Sequence, residues 1–166
     1  IMKEVSRSLE VVNRLSNHPD VMGIPMKPPD YFQNNCEPLF VYGTLQPGEG
    51  LFNYTLNDLA GVIPDSNIYG YSMYVAGKIP FVVQDCVDGT VFGTTLFINN
   101  IELVLSILDR IEGGYDRIQD YVYTYYGAFY SYLYVAKFNT ITNFKKIENG
   151  DWVEWRYFAW KIKQKL

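Results

Sequence analysis

Histidine and cysteine are nearly absent from this chain of 166 residues: His18 is the single imidazole, and Cys36 and Cys86 are the only thiols. A zinc site built from cysteine and histidine would use nearly all of them at once, so no metal centre of that type is expected. His18 lies in the polar, turn-like stretch Asn17-His18-Pro19-Asp20. A Ser-His-Asp or Cys-His mechanism would therefore have to rest on a loop histidine. Two thiols so far apart make no disulfide framework, which points to a reduced protein. Positive charge is also scarce. Lys+Arg 14 against Asp+Glu 18 gives a net charge of −4, and the basic residues cluster only at Lys145-Lys146 and in the last few positions. A basic groove is missing, so no nucleic-acid partner is expected. No apolar run approaches the ~20 residues of a membrane span and no charged-then-apolar leader opens the sequence, so no membrane partner and a cytoplasmic location are expected.

What is present is material for a core. Hydrophobic residues make up 48% and aromatic residues 17% against 19% charged. Such a chain folds, and its length suits one domain with a sizeable core. Residues 1–36 stand apart from the rest. Val5, Leu9, Val12 and Leu15 recur at helical spacing and predict a helix over Glu4 to Ser16. A stretch with Pro19, Pro25, Pro28 and Pro29 follows, read as a tether wrapped on the body or partly mobile, and a partner-docking role for the helix stays open. Residues 37–166 form the main domain. Its β-branched and aromatic runs predict strands at Leu39 to Tyr42, Ile68 to Val75, Phe81 to Val83, Val91 to Ile98, Tyr121 to Tyr126, Phe129 to Phe138 and within Val153 to Ile162. A long helix interrupts them. Asn99 and Glu102 match a capping box, Ile101, Val104, Leu105, Leu108 and Ile111 form an apolar stripe, and Gly113-Gly114 is read as a left-handed stop. A shorter helix is expected at Leu51 to Leu59, and the tyrosines that alternate along the late strands are read as half-buried sheet residues. Mixed strands around one central helix give an α+β fold whose sheet is long enough to curl into a barrel.

Two places carry candidate chemistry. In Phe40-Val41-Tyr42-Gly43-Thr44-Leu45-Gln46-Pro47-Gly48-Glu49-Gly50 a strand runs into a glycine-rich loop. Backbone N–H groups freed at such a strand end can form a donor cluster for a carboxylate or an oxyanion. The same letters also suit a plain strand-to-loop transition. The second place is Glu112, in Leu108-Asp109-Arg110-Ile111-Glu112-Gly113-Gly114-Tyr115-Asp116-Arg117. A carboxylate in the last turn of a helix faces the negative end of the dipole, which raises its pKa and suits it to give and take a proton. The alternative is a surface glutamate paired with Arg110, Arg117 or a lysine. Asp109 is the weaker candidate because it suits a structural hydrogen bond.

Together, Tyr42-Gly43-Thr44-Leu45, Leu108-Asp109 with Glu112-Gly113, Tyr115 and Arg117, and Gly150-Asp151-Trp152 resemble the gamma-glutamylcyclotransferase-like family. The resemblance covers Pro38 to Trp155. Gly77-Lys78-Ile79-Pro80 falls where the family carries a glycine-x-aromatic-proline segment, with Ile79 in place of the aromatic, and Glu112 to Tyr115 is a short spacing for the family. The resemblance implies a small mixed β-barrel flanked by helices, here with an N-terminal helical extension. It implies that Tyr42, Gly43, Thr44 and Leu45 bind substrate and that Glu112 is the general acid/base. Ile79 and Tyr115 would stand at the pocket, while Arg117 would brace the structure. The implied reaction is intramolecular aminolysis of a gamma-glutamyl amide, in which the substrate's own α-amine attacks its γ-carbonyl and 5-oxoproline and an amine or amino acid leave. It requires no cofactor, and the implied partner is a small gamma-glutamyl compound. A protein that binds or sequesters a small molecule in the same pocket is the alternative, because either role can use Glu112.

Overall fold

The computed structural model describes residues 2–30, 35–85, 88–137 and 144–165. Helix α1 (Met2–Ser16) is followed by strand β1 (Glu37–Val41), a single turn α2 (Asn53–Leu56), β2 (Leu59–Tyr69), β3 (Tyr71–Ala76) and β4 (Ile79–Gln84). Then come β5 (Thr90–Ile98), α3 (Ile101–Ile111), β6 (Tyr115–Thr124), β7 (Gly127–Ala136), the short β8 (Lys145–Lys146) and α4 (Trp152–Gln164). Strands β1, β5, β2, β6 and β7 close into a barrel, and β4, β3 and β8 form a separate three-stranded sheet. The chain is α+β, as its mixed strand and helix patterns imply. Barrel pairing is antiparallel except between β1 and β7, which run parallel.

Strand alternation divides the core. Phe40, Ile68, Val91, Val122 and Leu133, one from each barrel strand, cluster with Tyr71, Met73 and Val82 of the small sheet. Residues of the opposite alternation on the same strands, Leu39 and Val41 of β1 and Leu96 and Ile98 of β5, pack instead with Ile101, Val104, Leu105 and Leu108 of α3. Successive side chains of a strand point to opposite faces, so β1 is apolar on both sides because both are covered. Burying side chains of this size contributes roughly 1.5–3 kcal/mol each. Leu15 of α1 and Val21 join the α3 side, and the Val62 N–H donates to the Pro25 carbonyl at 2.9 Å, so residues 17–30 lie along the barrel wall.

Several expectations need correction. The segment Val153 to Ile162 is helix α4, not a strand. Its aromatic content favours β structure, but Gly150 turns the chain at φ 64° and the Asp151 side chain accepts the Glu154 N–H at 3.1 Å. That N-cap starts a helix. The expected strand Ile68 to Val75 is two strands with Gly70 at φ 82° between them, and β2 begins as far back as Leu59. The Pro64-Asp65-Ser66 run looks like a turn in sequence, yet β2 absorbs it as an irregularity between Ile63 and Ser66, with Asp65 at φ 56°. The α3 capping box does not form: Asn100 occupies the N-cap without a side-chain cap, and its amide donates to Asp58 Oδ1 instead. The helix does end before the glycine pair, but neither Gly113 nor Gly114 has a positive φ, and Glu112 is the C-cap. Finally, Tyr121, Tyr123, Tyr125, Tyr126 and Tyr130 are exposed, Tyr125 to 95%, because among the described residues no helix or strand buries that end of the β6–β7 hairpin. The predicted short helix shrinks to Asn53–Leu56, and Phe138, the end of one predicted strand, lies outside the described residues.

Candidate active site

The Tyr42 to Leu45 loop leaves the barrel where β1 ends. Its carbonyls are engaged: Tyr42 O accepts from Gln46 Nε2 at 2.7 Å, Gly43 O from the Gln46 N–H at 3.0 Å, and Thr44 O from the Leu51 N–H at 2.9 Å. Its donors are not. Among the described residues the N–H groups of Gly43, Thr44 and Leu45 donate to no backbone carbonyl. Three successive donors of this kind form an anion-binding concavity when a turn gathers them. Glycine is required at position 43 by space, since a Cβ there would lie 2.6 Å from Pro80 Cγ.

Glu112 stands at the C-terminal end of α3, its N–H bonded to the Leu108 carbonyl at 2.7 Å and its carbonyl accepting the Tyr115 N–H at 2.8 Å. The loop and this glutamate line one cavity of about 270 Å³, together with Ile79, Pro80, Tyr115 and Tyr134. All the residues that the sequence singled out for the site therefore meet at one hollow. Ile79 is 59% exposed and forms part of its rim.

The Glu112 carboxylate has no hydrogen-bond or ion-pair partner among the described residues. The arginines that could have neutralised it are directed elsewhere. Arg117 Nη1 meets Asp109 Oδ2 at 2.8 Å, and Arg110 Nε donates to the Ser106 carbonyl. Burial pushes the Glu112 carboxyl above the ordinary carboxylate range. The direction agrees with that expected at the end of a helix, and burial is its principal cause. Tyr115 is pushed up to about 12 by burial first and by the nearby Glu112 charge second. Burial raises Tyr42 further, with Tyr115 and Glu112 adding to it. Both phenols are thus protonated donors beside a carboxylate.

A network running from the buried Tyr42 hydroxyl out to the exposed Asp109–Arg117 pair holds these groups in place. The Tyr42 hydroxyl donates to the Tyr134 carbonyl at 2.7 Å, and the Tyr134 hydroxyl donates to Asp109 Oδ1 at 2.7 Å. Arg117 bridges the other Asp109 oxygen and lies over the Tyr132 ring at 5.8 Å. Asp109 and Arg117 therefore tie the end of α3 to β6 and β7, one turn before Glu112. The Tyr115 hydroxyl reaches the Pro80 carbonyl at 3.3 Å. Tyr134 and Pro80 were not picked out from sequence. Tyr134 could have been found only through register, since it pairs with Arg117 across β6 and β7.

The Gly150-Asp151-Trp152 motif stands apart from this cavity. A Cβ on Gly150 would lie 2.0 Å from the Thr90 carbonyl, Asp151 caps α4, and Trp152 is 3% exposed. It is a framework motif.

Comparison with known proteins places this arrangement. Residues 39–154 match the family model for gamma-glutamyl cyclotransferase, AIG2-like. The chain belongs to this family. No curated protein matches it. Among solved structures it is similar to YkqA from Bacillus subtilis, with 29% identity and a TM-score of 0.64 over 76% of this chain and 43% of that one. The match to ytfP from Escherichia coli has 29% identity and a TM-score of 0.51 over 72% of this chain and 98% of that one. An AIG2-like protein from Mus musculus shares the fold at 20% identity and a TM-score of 0.50, over 61% of this chain and 77% of that one. This chain spans less than half of YkqA. No described helix is long and apolar enough to cross a membrane.

Proposed function

We propose that the chain is a gamma-glutamyl cyclotransferase-type enzyme acting on a small gamma-glutamyl compound. The observation that carries this reading is a half-buried Glu112 carboxylate, without a hydrogen-bond or ion-pair partner among the described residues, sharing one cavity with the N–H groups of Gly43, Thr44 and Leu45, which donate to no backbone carbonyl among those residues. The chemistry needs no nucleophile from the protein. Glu112 takes a proton from the substrate ammonium, and the freed amine attacks the γ-carbonyl. The new N–C bond closes the five-membered ring. Collapse of the tetrahedral intermediate breaks the amide C–N bond; the proton held by Glu112 goes to the departing nitrogen, and the second proton shed by the ring nitrogen goes to the freed amine, which leaves as its ammonium while 5-oxoproline keeps one lactam N–H. The glutamate ends as it began, with no cofactor consumed.

Each component has a recognised scale. Holding amine and carbonyl in contact supplies at best about 7–11 kcal/mol. Proton transfer by a positioned carboxylate is worth ~10²–10⁴-fold, favoured when burial brings its pKa nearer to working pH. Loop N–H groups that hold the α-carboxylate fix the curled pose, and any that meet the oxyanion contribute about 2.7–4 kcal/mol each. The phenols of Tyr42 and Tyr115 line the same cavity and, pushed up by burial, remain protonated.

Incubation with gamma-glutamyl amides and detection of 5-oxoproline tests the proposal. Product is expected from the native chain and a ~10²–10⁴-fold loss from Glu112→Gln. Ligand binding without product would make the protein a sequestering one, and unchanged turnover in the variant would remove Glu112 from the mechanism.

A further inference from the structure

Gln46 follows directly on the Tyr42 to Leu45 motif and is only 7% exposed, although its side chain is polar. That side chain turns back into the loop it follows. Its Nε2 donates to the Tyr42 carbonyl at 2.7 Å, and the backbone N–H of the same residue donates to the Gly43 carbonyl at 3.0 Å. The other end of the amide is held too, since the Thr94 hydroxyl donates to Gln46 Oε1 at 3.2 Å. Thr94 is buried and pairs with Val41, the last residue of β1, so β5 fixes the amide at the point where the loop departs. A carbonyl only accepts, so Nε2 must face Tyr42 and Oε1 must face the hydroxyl.

These bonds decide where the loop's donors point. In a trans peptide the C=O and the N–H of the next residue are directed oppositely. A captured carbonyl therefore aims the following N–H away from its captor. Neither Gln46 nor Thr94 lines the 270 Å³ cavity; both border the larger hollow behind the loop, so the pull comes from the far side. The Gln46 side chain thereby sets the Gly43 N–H through the Tyr42 carbonyl, and its backbone sets the Thr44 N–H through the Gly43 carbonyl. The Leu51 N–H, bonded to the Thr44 carbonyl, sets that of Leu45. Only the first of the three depends on a side chain. No other hydrogen bond reaches the Tyr42 carbonyl among the described residues. Without the amide this carbonyl would be left unsatisfied, and rotation of the Tyr42–Gly43 peptide toward the cavity would return it to water. Glycine at position 43 permits that rotation. The rotated peptide would meet an anion with a carbonyl oxygen in place of an N–H.

Resting on the cyclotransferase reading, we propose that Gln46 is a positioning residue for substrate binding: its side-chain amide locks the Tyr42–Gly43 peptide with the N–H turned to the cavity, where it receives the α-carboxylate of the gamma-glutamyl group.

Two measurements test this. The first compares turnover of a gamma-glutamyl amide by the native chain, Gln46→Met and Gln46→Glu. Methionine keeps the length without a donor, and glutamate sets an acceptor against the carbonyl. KM is expected to rise at least about tenfold in Gln46→Met and further in Gln46→Glu, with kcat within about threefold of native, the split produced by losing binding common to ground and transition states. A folding defect alone would lower the active fraction, and with it kcat, and leave KM where it was. Unchanged KM, or a loss carried by kcat alone, overturns the lock and leaves the cyclotransferase reading standing. The second measurement needs no activity. A crystal structure of Gln46→Met is expected to show the Tyr42 carbonyl turned into the cavity, and in the native chain the Gln46 side-chain amide protons are expected to exchange more slowly than those of the exposed Gln119. A variant structure with that carbonyl in its native direction, or Gln46 amide protons exchanging as fast as those of Gln119, overturns the lock. If the native chain turns over no gamma-glutamyl compound, the enzyme reading alone fails and this second measurement decides the lock.

Discussion

Two helix ends in this molecule carry a carboxylate, and they differ in what surrounds it. At the start of α4, Asp151 accepts the Glu154 N–H at the positive end of the helix, next to a glycine pressed against β5. At the close of α3, Glu112 sits at the negative end, half-buried, with neither hydrogen bond nor ion pair among the described residues. The first arrangement stabilises the fold and leaves nothing over for a ligand. The second lowers stability locally and holds a proton acceptor ready. Both belong to motifs that mark the family in sequence, so family motifs here serve two different ends.

The largest effects should separate those ends. Glu112→Gln is expected to lower 5-oxoproline formation by ~10²–10⁴-fold with the melting temperature no lower than native. Gly150→Ala should do the reverse. A methyl 2.0 Å from the Thr90 carbonyl, at φ 64°, cannot be accommodated without moving β5 away from α4. Strain and lost packing of this type belong among the larger single-site effects, about 3 kcal/mol or more, measurable by urea unfolding. The fraction that stays folded should turn over substrate normally. If Gly150→Ala abolished activity in fully folded protein, the contrast between a framework motif and a site motif would collapse.

Asp151→Ala gives a smaller effect at the same place. Loss of an N-cap costs about 0.5–2 kcal/mol, and in a chain of this size 1 kcal/mol shifts Tm by roughly 2–4 °C. A Tm drop in that range is expected, and an unchanged Tm would mean that the cap does not hold α4 in place.

How much of this could be read in advance depended on whether the signal was local. β1, β5 and β7 show as apolar and β-branched runs, and α3 shows as a stripe at helical spacing, because each element's burial is written into its own residues. α4 was missed although the Asp151-x-x-Glu154 cap lies in plain view, since Trp152, Trp155, Tyr157, Phe158 and Trp160 outweighed it as strand formers. The first part of β2 carries Pro64 and Asp65, residues uncommon in strands, and only pairing with β5 reveals an irregular strand there. At the site, Tyr42 to Leu45, Ile79, Glu112 and Tyr115 were legible as motif positions. The partners that hold them were not. Tyr134 reaches Asp109 from another strand, and Pro80 meets Gly43 from a hairpin, so both depend on the closed barrel. Nor could the sequence say why the Glu112 carboxyl is raised, because burial is a property of the assembled cavity.

That cause gives the smallest prediction and the one that bears most directly on the two carboxylates. The folded state binds the Glu112 proton more tightly than the unfolded chain does. Below the ordinary carboxylate range both states are protonated and the residue costs nothing. As pH rises through the raised folded value, the buried carboxyl ionises and stability is lost. Glutamine never ionises, so Glu112→Gln should melt at the same temperature as the native chain in acid and higher at neutral pH. Asp151→Ala should show no such stabilisation at neutral pH, because its carboxylate gains a hydrogen bond on folding. Parallel Tm-against-pH curves for the native chain and Glu112→Gln would mean that burial does not raise this carboxyl, and the favoured proton acceptor would lose the property that suits it to the reaction.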